Sequence, residues 1–147
     1  MQRASSNAER LSTTVESCDV FISYSHNDKD FVLRLNDQLV DSGRRPWVDW
    51  KNIPPSLKWL ETILLAIGSA HAFIFVISPD SITSSTCLQE LQHALSQNKK
   101  ILPVLYREVE AGIPADLASR HWIRFTDNLN FAKALKLLCE TLDANFD

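Results

Sequence analysis

Along this 147-residue chain, five short apolar runs alternate with segments whose apolar residues recur every three or four positions. The runs are CDVFISY at 18–24, RPWVD at 45–49, AFIFVIS at 72–78, KILPVLY at 100–106 and HWIRF at 121–125. They are rich in β-branched and aromatic residues. The first, third and fourth are almost unbroken in apolarity, as strands buried on both faces of a parallel sheet are. Between them the spacing predicts helices. Phe31, Leu35 and Leu39 form one stripe, which Gly43 is placed to end after Ser42. Leu57, Leu60, Leu64 and Ile67 form a second stripe, Leu88, Leu91 and Leu95 a third, and Phe131, Leu135, Leu138 and Leu142 a last. The segment 107–120 holds Gly112 and Pro114 and reads as a loop with at most a short helix. Residues 1–17 are polar and aperiodic, and read as a disordered lead or linker. One domain is expected over 18–142, with 143–147 a tail leading into a further region of a longer, regulated protein.

Strands alternating with helices imply right-handed βαβ crossovers. The expected fold is therefore α/β and flavodoxin-like, a five-stranded parallel sheet of order 2-1-3-4-5 with helices on both faces. Such sheets bind ligands outside the carboxyl ends of strands 1 and 3, where the strand order reverses. The loops at that point are SYSHND (23–28) and SPDSITSS (78–85). Glu90 lies in the first turns of the helix that follows the second loop.

Composition removes several classes. A net charge of −3 and the lack of a basic run argue against nucleic-acid and acidic-membrane partners. The longest apolar run is too short to span a bilayer, and the N-terminus has no apolar signal core. Three scattered cysteines, Cys18, Cys87 and Cys139, suit a reducing compartment, so a cytoplasmic location is expected. With only Gly43, Gly68 and Gly112 available, neither a dinucleotide fingerprint nor a P-loop exists. The four histidines show no metal-ligand spacing, and no metal is expected. A phospho-receiver needs an aspartate ending strand 3, where this chain has Ile77-Ser78-Pro79.

Candidate residues then gather at the switch point, each with a plainer reading beside the functional one. Glu90 is either a solvated helix charge or a placed carboxylate. A capping box does not account for it, because the residue three positions earlier is Cys87. Ser23 and Tyr24 end strand 1 and serve either packing or ligand contact. Ser84, Ser85 and Thr86 are helix N-cap candidates. Trp47 and Trp59 suit core packing, and Trp59 equally suits an aromatic platform for a flat ring. Asp49, Trp50, Pro54 and Pro55 form a stiff loop after strand 2, fitted to contact another protein.

On these residues the chain resembles the Toll/interleukin-1 receptor (TIR) domain family, most nearly in its bacterial form. CDVFISYSHNDKDFV resembles the family's first strand and loop. VDWKNIPPSLKWLETI resembles the second strand and the long loop after it. HAFIFVISPDSITSSTCLQEL resembles the third strand and the helix with the Ser…Cys-x-x-Glu signature. KKILPVLY and HWIRF match the remaining strands in order. The resemblance implies one of two functions. One is NAD+ glycohydrolysis, splitting the nicotinamide–ribose bond to nicotinamide and ADP-ribose or a cyclic product, activated by self-association in defence or stress signalling. The other is a non-enzymatic scaffold acting through TIR–TIR assembly. A nucleoside ribosyl- or deoxyribosyltransferase is a third, more distant reading.

For the enzyme, the resemblance implies Glu90 as the catalytic residue. It implies Trp59 facing the nicotinamide, and Ser23, Tyr24, His26, Ser84 and Cys87 contacting substrate. Asp49, Trp50, Pro54 and Pro55 would belong to the interface loop. NAD+ is the substrate, other TIR domains are the partners, and no cofactor is implied. The chain departs from many active members at Thr86, where they have Trp, and at Ser25 and His26, where some have Arg.

Overall fold

The computed structural model describes residues 18–50, 56–126 and 130–144. The lead at 1–17, Pro54, Pro55 and residues 145–147 lie outside them. All five expected strands form: β1 Val20–Ser23, β2 Pro46–Val48, β3 Ala72–Ile77, β4 Lys100–Leu105 and β5 Ile123–Arg124. They make one parallel sheet of order β2-β1-β3-β4-β5. From the β1–β3 boundary the chain builds outward in both directions, which opens a crevice there.

Among the described residues, five α-helices cover the sheet: α1 Lys29–Asp41, α2 Leu57–Ser69, α3 Ser85–Ser96, α4 Ala115–Ala118 and α5 Phe131–Asp143. Val20, Ile22, Ile74, Val76, Leu102 and Val104 face α1 and α5. Phe21, Phe73, Phe75, Ile77, Ile101 and Leu105 face α2, α3 and α4. Successive residues of one strand thus enter opposite cores, so the central runs are apolar without a break. Each fully buried Phe, Ile or Leu contributes roughly 1.5–3 kcal/mol. α1 ends as its sequence implies. Gly43 adopts φ 91°, and the Arg44 N–H turns back to the Leu39 carbonyl.

Three details depart from expectation. The core-facing residues of α2 are Ile63, Ala66 and Ile67, whereas Leu57 is 78% exposed. Ala66 is small, and counting only large apolar residues rotates the apparent stripe. In α3 the deep face is Cys87, Glu90, Leu91 and Ala94, with Leu88 and Leu95 only half-buried. β5 is shorter than the run HWIRF and pairs only with Val104 and Leu105. The Leu105 carbonyl accepts from Phe125 on the β5 side. Pro103, two residues back, faces that same side and has no N–H to offer, so the ladder stops.

Candidate active site

Ser23 is the last residue of β1 and lies two positions beyond Phe21, so its side chain points toward α3. It is buried, and its hydroxyl donates to Glu90 Oε1 at 2.7 Å. Glu90 reaches that spot because α3 carries it at helical spacing from Cys87, Leu91 and Ala94. Its residue exposure is 6%. Burial pushes its carboxyl up to about 7. The Ser23 hydrogen bond opposes that rise and the charge of Asp49 adds to it. The plain reading of Glu90 as a solvated helix charge therefore fails.

The helix is held in place by its cap. Ser84 Oγ accepts from the Cys87 N–H at 3.2 Å, so Ser84 is the N-cap and Cys87 occupies the third helical position. The Cys87 thiol is buried beside Ser84 and Ser23, and burial pushes it up to about 11. A thiol raised in this way stays protonated at neutral pH.

On the other side of β1, Tyr24 lies in the α1–α5 core and donates its hydroxyl to the Asp49 carbonyl at 2.7 Å. His26 Nε2 sits 3.1 Å from the same carbonyl. The Trp50 and His26 rings meet Tyr24 edge-on, at 6.2 and 5.2 Å between centroids. Burial first, then the charges of Asp49 and Glu90, raise the Tyr24 phenol above its ordinary value. The loop after β1 is thereby tied to the end of β2, and Trp50 is half-buried in that tie.

Trp59 belongs to a ladder of rings. Phe73 stacks on Phe21 at 5.5 Å, Phe21 on Trp47 at 5.1 Å, and Trp59 lies 6.0 Å from Trp47 at 34°. Its half-buried ring packs on the α2–α3 core, and Ser56 caps its helix by accepting the Trp59 N–H. The structure thus brings Ser23, Tyr24, His26, Ser84, Cys87, Glu90, Asp49 and Trp50 to the carboxyl ends of β1, β2 and β3. Trp59 flanks them through Trp47.

One polar cluster was not expected. Asp28, whose side chain is fully buried, accepts from Ser78 Oγ at 2.5 Å and from Arg107 at 2.8 Å. Arg107 also bonds Asp80 at 2.7 Å, and Ser78 and Ser81 exchange hydrogen bonds. Loops after β1, β3 and β4 are joined by this cluster. Asp28 stands at the N-cap position of α1, yet its side chain makes no cap bond. Among the described residues no group of three His, Cys, Asp or Glu is placed to hold a metal ion. No described helix is long and apolar enough to cross a membrane. Two open grooves of about 640 Å³ lie away from this end, between β5 and α5 and between α2 and α3.

The parallel sheet of order 2-1-3-4-5 with helices on both faces places the chain in the class of flavodoxin-like α/β domains. Within that class the chain belongs to the TIR domain family, whose model matches residues 20–139. It is similar to a Brachypodium distachyon protein named a probable 2′ cyclic ADP-D-ribose synthase, BdTIR. The two are 32% identical over 90 residues, covering 60% of this chain and 40% of that protein. Among solved structures it resembles the TIR domain of the Toll-related receptor TRR-2 of Hydra magnipapillata. There the identity is 27% and the TM-score 0.74, over 87% of this chain and 100% of that one. The TIR domains of the activated Roq1 resistosome share the fold at 20% identity and a TM-score of 0.66, over 86% of this chain and 99% of that one.

Proposed function

We propose that this domain cleaves NAD+ at the nicotinamide–ribose bond, with Glu90 as the catalytic carboxylate. The observation that carries the reading is the burial of Glu90 at the switch point, hydrogen-bonded to Ser23. Glycosidases ordinarily use two carboxylates, one of them to protonate the leaving oxygen. The nicotinamide nitrogen of NAD+ is already cationic. It leaves with the bonding electron pair as a neutral base, so no acid is needed. The ribose left behind is oxocarbenium-like, and an ionised Glu90 in a water-poor site stabilises that charge. Water or a hydroxyl of the same nucleotide then attacks C1′ and passes its proton to the Glu90 carboxylate, which returns it to solvent, yielding ADP-ribose or a cyclic product. The name of the Brachypodium relative supports the cyclic branch.

Trp59, half-buried beside Trp47, is assigned to the nicotinamide. TIR–TIR assembly is assigned the completion of the pocket, in keeping with the loop after β2 and the exposed Leu57 and Leu65 of α2. Defence or stress signalling is the setting this activity fits.

The test is nicotinamide release from NAD+ at rising protein concentration, with Glu90→Gln alongside. Release that climbs faster than linearly in protein and is lost in the variant supports the enzyme. No release by the wild-type chain at any concentration contradicts it and favours the scaffold.

A further inference from the structure

Glu90 is not the only carboxylate at this end of the sheet. β1 and β2 run parallel with Phe21 opposite Trp47 and Ile22 opposite Val48. One step further, that register sets Asp49 beside Ser23. Phe21 and Trp47 both enter the α2–α3 core. Side chains two positions along a strand return to the same face, and Ser23 takes the side from which Glu90 approaches. Carried one step past the end of β2 at Val48, the same alternation assigns Asp49 to that side. The backbone of Asp49 is fixed by the Tyr24 hydroxyl at 2.7 Å and by His26 at 3.1 Å, both on its carbonyl. Ser23 in turn holds Glu90 Oε1. Ser23 therefore bonds the buried Glu90, and the β1–β2 register continued one step brings the half-exposed Asp49 alongside it.

We propose that Asp49 and Glu90 act as a carboxylate pair that receives the vicinal hydroxyls of the ribose whose glycosidic bond is cleaved. This rests on the NAD+ reading above and adds a second substrate contact to it. A vicinal diol presents two O–H donors, and ionised carboxylates only accept. Ser23 engages one oxygen of Glu90, so Oε2 meets one hydroxyl and Asp49 meets its neighbour. Two negative groups beside the sugar also favour the positive charge that develops as nicotinamide leaves. The proximity is felt electrostatically, since Asp49 is among the causes that raise Glu90 and Tyr24. Among the described residues, Tyr24 just after β1 and Cys87 of α3 also lie near Glu90, both pushed upward and so uncharged at neutral pH, and the charge of Asp28 reaches Cys87 from the loop after β1. His26 stands beyond them on the Asp49 carbonyl. The pair makes the site selective for ribose over a 2-deoxy sugar.

The experiment uses the full chain and Asp49→Asn, with Asp49→Ala as a second variant and circular dichroism to confirm folding. Two quantities are read. The first is the carboxyl-carbon NMR titration of Glu90. The second is nicotinamide release from NAD+ and from its analogue lacking the 2′-hydroxyl on the nicotinamide-bearing ribose. The expected result is a lower Glu90 midpoint in both variants, with turnover of NAD+ reduced roughly tenfold or more. The preference for NAD+ over the deoxy analogue should shrink with it. An unmoved Glu90 midpoint overturns the pair whatever the turnover. An intact preference for NAD+ in the variants overturns the hydroxyl contact. A moved midpoint with no nicotinamide release from the wild-type chain contradicts the NAD+ reading, and the ribose contact with it.

Discussion

Burial lifts Glu90 from the ordinary 4.5 to about 7, although Ser23 donates to it at 2.7 Å. Between those two values the folded protein holds a proton that the unfolded chain has released. Stability therefore falls as pH rises from about 4.5 to about 7 and levels off above. Glu90→Gln keeps an acceptor for Ser23 and removes the charge. Thermal melts should show the wild-type protein losing stability from pH 5 to pH 8, by on the order of 3 kcal/mol at most, with the decline flattened in the variant. Equal slopes would mean that Glu90 titrates like an exposed carboxylate. The place of Glu90 was legible in the chain, because it lies in the first turns of the helix that follows the loop after strand 3. Its burial was disguised, since a charged residue at a core position reads as a break in the pattern. The bond to Ser23 was not legible at all, as 67 residues separate the two.

At the scale of elements, α3 and the loop before it set the aim of the site. Ser84 caps the helix, the Ser84 N–H bonds the Ser81 carbonyl, and Ser81 is locked to Ser78. Ser78 is anchored by Asp28, which Arg107 pairs from the end of β4. Asp28→Ala removes a buried acceptor from both partners. Chemical denaturation should register a loss of about 2–4 kcal/mol. A change within 0.5 kcal/mol, as for an ordinary surface substitution, would show that the clamp carries no weight. Strands and helices were recoverable from apolar spacing because each buries its own face. The clamp was not, because its members come from three loops and polar loop residues have no period. The phase of α2 was misjudged for a related reason: a leucine count overlooks Ala66, which is as deeply buried as Ile67.

For the whole molecule, strand order does the positioning. β1 and β3 lie side by side at the centre of the sheet, so Ser23, Asp49 and Ser78 end within one crevice despite their separation in sequence. That order followed from alternating elements and the handedness of crossovers, which needs no side-chain detail. The chemistry is finer-grained. It depends on whether Glu90, buried and raised to about 7, acts as an anion on a cationic substrate. kcat/KM reports groups in the free enzyme, so it sees Glu90 before NAD+ binds.

The pH profile of kcat/KM for nicotinamide release is therefore the most direct measurement. The account predicts a rise to a plateau with its midpoint near 7, and no measurable release in Glu90→Gln at any pH. A flat profile from pH 5 to pH 8, or a variant that still releases nicotinamide, would contradict it.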